Sequence, residues 1–339
     1  MTEQESIDLY SHRTVIRPSI GAWLRHIGLL LITFCTATIA GVLFPFGRID
    51  TFPTDDPRTA TEFVDLIFSL PVRYSLMIGE AIRLMFSDSE LLRYGLSFSL
   101  SLLFILICHE MGHYVACRRY KVDATLPFFI PTPPMVGPAG TFGAFIKILS
   151  PIPSRKAVFD IGVAGPIAGF IALIPIAVIG VATMESATPD QIAGGSVLTF
   201  SDPLLMRAIA YAFGVDLQYG IGNAFYFAAW VGLLVTALNL IPSGQLDGGH
   251  AIFAVFGERV HRYTGRIAFV VMASLSVLGA VYFSSPSGFL IALILAIMMR
   301  VRHPEPWDQT PLDTGRRVVA VVTLLIFALC FTPFPVKIN

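Results

Sequence analysis

Five consecutive residues, His109, Glu110, Met111, Gly112 and His113, spell H-E-x-x-H inside an apolar run. If that run is helical, positions i and i+4 share a face, so both imidazoles reach one metal ion while Glu110 stands beside it. Two imidazoles and a carboxylate suit zinc, which lowers the pKa of a bound water from about 16 toward about 7. Hydroxide next to a general base is the reagent that amide hydrolysis needs. The competing readings of the same residues are a transit site in a membrane metal transporter and an inactive membrane scaffold. A transit site needs ligands but no base between them.

Two imidazoles leave a zinc site incomplete, so a third protein ligand has to come from elsewhere. A thermolysin-like downstream Glu is missing, because no carboxylate occurs between Asp123 and Asp160. The metzincin extension fails as well, since Ala116 and Arg119 stand where Gly and His are required. Another apolar run ends in NLIPSGQLDGGH, Asn239 to His250. Pro242 and the glycines break a helix there and leave Asp247 on a flexible turn, on the same side of the membrane as the histidine pair. An Asp in a Gly-rich turn is otherwise a plain turn former; the open ligand position at HEMGH favours the metal reading. Asn239 can donate to a developing oxyanion or cap the helix end before Pro242. His250 can orient a ligand or touch the metal.

The elements that must carry these residues are apolar. Hydrophobic residues make up 55% of the 339 and charged ones 14%, which exceeds what one soluble core holds. Runs of roughly 20 apolar residues mark spans at Trp23–Phe46, Leu96–Ala116, Val158–Thr183, Ile221–Ile241, Ile267–Phe283 and Val318–Pro335. Phe289–Val301 is a shorter seventh. Between the first two, Phe63–Phe86 is broken by Pro71, Arg73, Glu80 and Arg83, and reads as a helix lying on the membrane or as an ordinary extramembrane helix. The Pro- and Gly-rich loop from Pro127 to Pro153 contains Phe142–Ile148, FGAFIKI, a short strand or hairpin.

Charge is balanced, 23 Lys plus Arg against 23 Asp plus Glu, so nothing global favours nucleic acid. Position matters more. Arg118, Arg119, Lys121, Arg155 and Lys156 mark the second loop as cytoplasmic, as Arg259, Arg262 and Arg266 do after the fourth span. Asp50, Asp55, Asp56, Glu62, Glu185, Asp190 and Asp202 fall in the opposite loops, which puts the N-terminus in the cytoplasm. The polar residues before the first span, Arg13 and Arg17 among them, make a long n-region for a cleaved signal peptide, so that span reads as a retained anchor. Cys35, Cys108, Cys117 and Cys330 have no paired spacing and read as small buried hydrophobes.

HEMGH in one span with NLIPSGQLDGG after another resembles the site-2 protease family of intramembrane metalloproteases, and Gly165 and Pro166 within VAGPIAGF are similar to that family's core. The resemblance covers about Leu96 to His250. It implies one zinc ion per chain held by His109, His113 and Asp247, with Glu110 as base; Asn239 is added as a second catalytic residue on its own chemistry, as the oxyanion donor. It further implies that the FGAFIKI loop is the edge strand to which an unwound substrate adds a strand, with Gly140, Phe142, Gly143, Ala144 and Phe145 as the expected substrate-binding residues. The expected substrates are single-span membrane proteins cut in or near the bilayer.

The expected fold is an all-α polytopic membrane protein of six to seven transmembrane helices around a three-helix catalytic core, with a short β-hairpin-like loop near the active site. Residues 1–94 would form an anchor span and an extracytoplasmic or interfacial segment, 95–262 the metalloprotease core, and 263–339 the C-terminal helices. Its location would be the plasma membrane of a bacterium, with lipid as its surroundings, the active site toward the cytoplasm, no nucleic-acid partner and no stated oligomeric order.

Overall fold

A computed structural model describes residues 16–47, 49, 59–188, 198–299 and 306–338. Arg13, Asp50, Asp55, Asp56, Asp190 and Val301 of the sequence reading lie outside the described residues. Among those described are ten helices: α1 (Ile20–Val42), α2 (Ala60–Ser87), α3 (Ser89–Arg119), α4 (Arg155–Ala182), α5 (Leu204–Phe213), α6 (Ala224–Asn239), α7 (Asp247–Phe256), α8 (Glu258–Tyr282), α9 (Gly288–Met298) and α10 (Thr314–Cys330). Six short strands, β1 (Phe128–Pro131), β2 (Thr141–Phe145), β3 (Glu185–Ser186), β4 (Leu198–Phe200), β5 (Gly220–Ile221) and β6 (Val336–Ile338), pair antiparallel as β1–β2, β3–β5 and β4–β6.

Four helices, α1, α3, α4 and α8, are long and apolar enough to cross a membrane by length and composition. The other expected spans come out shorter. The run Ile221–Ile241 becomes the 16-residue α6, because Asn223 caps its start through a bond from the Tyr226 amide and Pro242 follows its end. At 1.5 Å per residue such a helix is about 24 Å long. The run Val318–Pro335 becomes the 17-residue α10, with Arg316 and Arg317 in its first turn and its end at Cys330 ahead of two prolines. The interrupted stretch at Phe63–Phe86 is one continuous helix, α2, which carries Pro71 internally and buries only Ala81 and Met85.

The core is the packing of α3, α4 and α6, where Phe98, Leu102, Phe159, Leu173 and Leu233 are fully buried. Close approach depends on small residues: a Cβ added at Gly112 of α3 would lie 2.4 Å from the Ala164 carbonyl oxygen of α4. Outward faces stay apolar, with Leu100, Phe104, Val115, Ile171, Ile267 and Val270 exposed. Of the cysteines, Cys117 and Cys330 are buried, while Cys35 is exposed on the outer face of α1 and so is no core residue.

Arg118 and Arg119 end α3, Arg155 starts α4 and reaches the Ala254 carbonyl of α7 at 3.0 Å, and Arg259 starts α8; Glu185 and Asp202 follow the far end of α4. At the basic end, Arg316 of α10 donates to both oxygens of Asp160 on α4, at 2.9 and 2.6 Å, and to the Tyr120 hydroxyl at 3.0 Å. Tyr120 itself donates to Asp160. Arg316→Ala leaves a half-buried carboxylate short of its partner, so α10 should loosen at a cost of about 1–2 kcal/mol, read as a lower thermal midpoint with zinc content unchanged.

Candidate metal centre and active site

His109 and His113 sit one turn apart on the buried face of α3, at 3% and 7% exposure. Their rings lie on a glycine track of α4. A Cβ added at Gly169 would meet Nδ1 of His109 at 3.2 Å, and one at Gly165 would meet Nε2 of His113 at 2.1 Å. Nδ1 of His113 donates to the Ile161 carbonyl at 2.7 Å, which fixes the tautomer and leaves the Nε2 lone pair facing inward.

Asp247 arrives from the far side of the chain. The turn after α6 closes through hydrogen bonds from the Ser243 amide to the Ile241 carbonyl and from the Leu246 amide to the Ser243 carbonyl. Asp247 is not on that turn, as its sequence context had implied, but is the first residue of α7. A carboxylate is favoured there, where unpaired amides and the helix dipole present positive potential. Burial opposes its ionisation, yet the adjoining imidazoles of His113 and His109 outweigh burial and hold the carboxyl well below the usual carboxylate range.

The three side chains converge. Nε2 of His109 is 3.3 Å from Oδ2 of Asp247, Nε2 of His113 is 3.4 Å from Oδ1, and the two Nε2 atoms are 3.2 Å apart. Tetrahedral zinc with bonds of about 2.0–2.1 Å keeps its donors about 3.3–3.4 Å apart. The donor set, spacing and tautomer therefore fit zinc. Glu110 is 4% exposed, with Oε1 4.0 Å from Nε2 of His109. Asn239, the last residue of α6, places Nδ2 3.3 Å from the same nitrogen.

All of these residues line one cavity, together with Ala144, Phe145, Ile146, Ile148, Ile161, Gly162, Gln245, Leu246 and His250. His250 lies on the same glycine track, its Cβ 2.7 Å from a Cβ added at Gly162. Of the five expected substrate-edge residues, Ala144 and Phe145 are at the cavity. Phe142 and Gly143 are not among its walls, and Gly140 is packed against Thr36 of α1 at the far end of the hairpin. The ribbon continues past β2 instead. The Thr125 amide donates to the Lys147 carbonyl, the Lys147 amide to the Thr125 hydroxyl and the Leu149 amide to the Asp123 carbonyl, so 147 and 149 face residues 123–125 ahead of β1. The backbone groups of Ile146 and Ile148 face the other way, toward the cavity, and the Ile146 amide is directed at Glu110. Both isoleucines belong to the FGAFIKI segment that the sequence identifies as the substrate edge, but neither is among the five residues expected to bind substrate; the alternation identifies a strand but not which edge is covered.

The geometry defines a helical protein with a metalloprotease-type metal centre between packed helices. The chain belongs to peptidase family M50, whose description matches residues 97–281. It is similar to a probable zinc metalloprotease, the chloroplastic EGY1 of rice (Oryza sativa subsp. japonica), with 31% identity over 68% of this chain and 39% of that protein. The Arabidopsis thaliana EGY1 is 32% identical over 68% of this chain and 41% of its own length. EGY2 of the same plant is 29% identical over 74% and 44%. The chain thus spans less than half the length of these relatives. No solved structure matches it.

Proposed function

We propose that this chain is an integral membrane zinc endopeptidase that cuts single-span proteins within or next to their transmembrane segment. One observation carries the reading: two imidazole nitrogens 3.2 Å apart, each 3.3–3.4 Å from one or other oxygen of the same aspartate, a buried carboxylate beside them and an open strand edge all face the same cavity. His109, His113 and Asp247 would hold one zinc ion, which when bound polarises the scissile carbonyl and acidifies water. Glu110 takes the proton from the attacking water and returns it to the leaving amine. The Asn239 amide donates to the oxygen on which negative charge develops; Asn239→Ala should lower kcat about 100-fold with zinc content retained.

The outer edge of Ala144–Ile148 offers backbone groups to an extended substrate, which holds the scissile bond over Glu110. A helical amide is already hydrogen-bonded and shielded, so the substrate segment must unwind first. Replacing Gly and Pro in that segment by Leu should slow cleavage about tenfold or more, since each helix breaker eases unwinding by roughly 1–3 kcal/mol. The basic ends of α3, α4 and α8 favour an orientation in which the cavity opens to the cytoplasm, as expected for a plasma-membrane enzyme.

The test is cleavage of a single-span peptide by the purified full chain in liposomes, with and without a zinc chelator. Cleavage should stop on chelation and return on adding zinc back; cleavage that persists without metal overturns the proposal.

A further inference from the structure

The ribbon that carries the strand edge is poorly able to hold itself in place. It has two short strands, and its register slips between Phe129 and Pro131. An isolated two-stranded ribbon is marginal in water, and one at membrane depth must have its turn carbonyls satisfied by neighbouring protein.

Three side-chain donors from α1 and α2 do this. At the base, Nδ1 of the buried His26 donates to the Pro127 carbonyl at 2.9 Å, and its ring packs on Phe128 with centroids 4.0 Å apart. At the tip, the Thr36 hydroxyl donates to the Gly140 carbonyl at 2.8 Å, closer than either α1 carbonyl it also approaches, both at 3.1 Å. Contact there is tight: Gly140 has φ +73°, and a Cβ on it would lie 2.4 Å from the Thr36 carbonyl oxygen. Between these points the Tyr74 hydroxyl of α2 donates to the Pro134 carbonyl at 3.0 Å. Each carbonyl is reached once from outside the ribbon, and the Gly140 carbonyl also accepts from the Thr132 amide at 3.1 Å, where Thr36 adds a second bond. All three donors precede residue 97, where the family match begins.

We propose that α1 and α2 act as a clamp that sets the height and tilt of the β1–β2 ribbon, with His26, Thr36 and Tyr74 as positioning residues that align Ala144–Ile148 with Glu110. This rests on the strand-addition reading of the substrate edge. Tyr74 sits on a helix that buries little else, so the clamp has one firm arm, α1, and one lightly seated arm, α2. Because none of the three donors bonds to a metal-site residue, removing them should alter substrate capture without disturbing the ligands.

The experiment compares the wild-type chain with the combined variant His26→Phe, Thr36→Val, Tyr74→Phe, which keeps ring packing and volume but removes all three donors. Thr36→Ser, which keeps the hydroxyl, is the conservative control. Two quantities are read: amide hydrogen exchange over residues 141–149, and KM and kcat on a fluorogenic single-span peptide of about 25 residues with a Gly-Pro pair in its apolar segment. The combined variant should exchange about tenfold faster over that stretch and show KM raised about tenfold, with kcat within about twofold, zinc content unchanged and Thr36→Ser like wild type. Unchanged exchange overturns the clamp, as does a loss of zinc or a general fall in thermal midpoint. Faster exchange with unchanged KM would show that the clamp holds the ribbon while the ribbon does not bind substrate, which overturns the strand-addition reading instead. If the wild type cleaves nothing, the exchange measurement still decides the clamp and the protease reading alone fails.

Discussion

Glu110→Gln should abolish peptide cleavage while leaving one zinc per chain. The substitution preserves volume and can still accept a hydrogen bond, but an amide does not take a proton from water near neutral pH. General acid–base groups contribute about 10²–10⁴-fold, so kcat should fall by about 10³ or more with KM little changed. Zinc should stay because Glu110 is outside the ligand set: Oε1 is 4.0 Å from Nε2 of His109, whereas each imidazole nitrogen is 3.3–3.4 Å from an Asp247 oxygen and 3.2 Å from the other imidazole nitrogen. Kinetics on a single-span peptide with metal analysis of the same preparation checks both halves. A variant that keeps cleaving removes Glu110 from the chemistry. A wild type that carries zinc across liposome membranes and cleaves nothing favours a transporter.

Gly165→Ala should disable the enzyme by a different route, losing zinc first and activity with it. The added methyl would fall 2.1 Å from Nε2 of His113, the ligand atom itself, and 2.4–2.5 Å from the two ring carbons next to it. The ring has little room to retreat, because Nδ1 is tied to the Ile161 carbonyl at 2.7 Å and the residue is buried. Either the ring swings off the metal position or α4 moves away from α3. Overpacking of this kind costs about 1–3 kcal/mol, and a misplaced ligand lowers affinity further, so zinc retention against a chelator should drop at least about 100-fold. Gly112→Ala separates the two effects. It crowds the same helix contact at the Ala164 carbonyl without touching an imidazole, so it should lower the thermal midpoint more than zinc retention. If Gly165→Ala binds zinc like wild type, the track is packing alone.

The membrane-type composition, the main helices and the shared face of the histidine pair are legible in the sequence because each rests on local chemistry. HEMGH places two imidazoles by helical period alone, and the apolar runs around it mark α1, α3, α4 and α8 without reference to any neighbour. Helix lengths were less legible. Asn223 and Pro242 trim the run at Ile221–Ile241 to α6, an effect of capping and a missing amide that a hydropathy window averages away. Asp247 stands beside the two imidazoles but on a helix start and not on the expected turn, since a Gly-rich stretch looks like a turn until the packing of α7 on α4 lets it start a helix there.

By itself, then, the sequence determined which atoms can bind a metal and which segments prefer lipid, because residue type and near-neighbour spacing are properties of the chain. Only the tertiary structure decided that Ile146 and Ile148, not Gly140, face Glu110, that Gly165 and Gly169 make room for the imidazoles, and that His26, Thr36 and Tyr74 grip the ribbon. Strand edges, ring clearances and hydrogen bonds between distant segments depend on how separate elements come to rest against one another. Such contacts leave no periodic trace in either partner's own sequence.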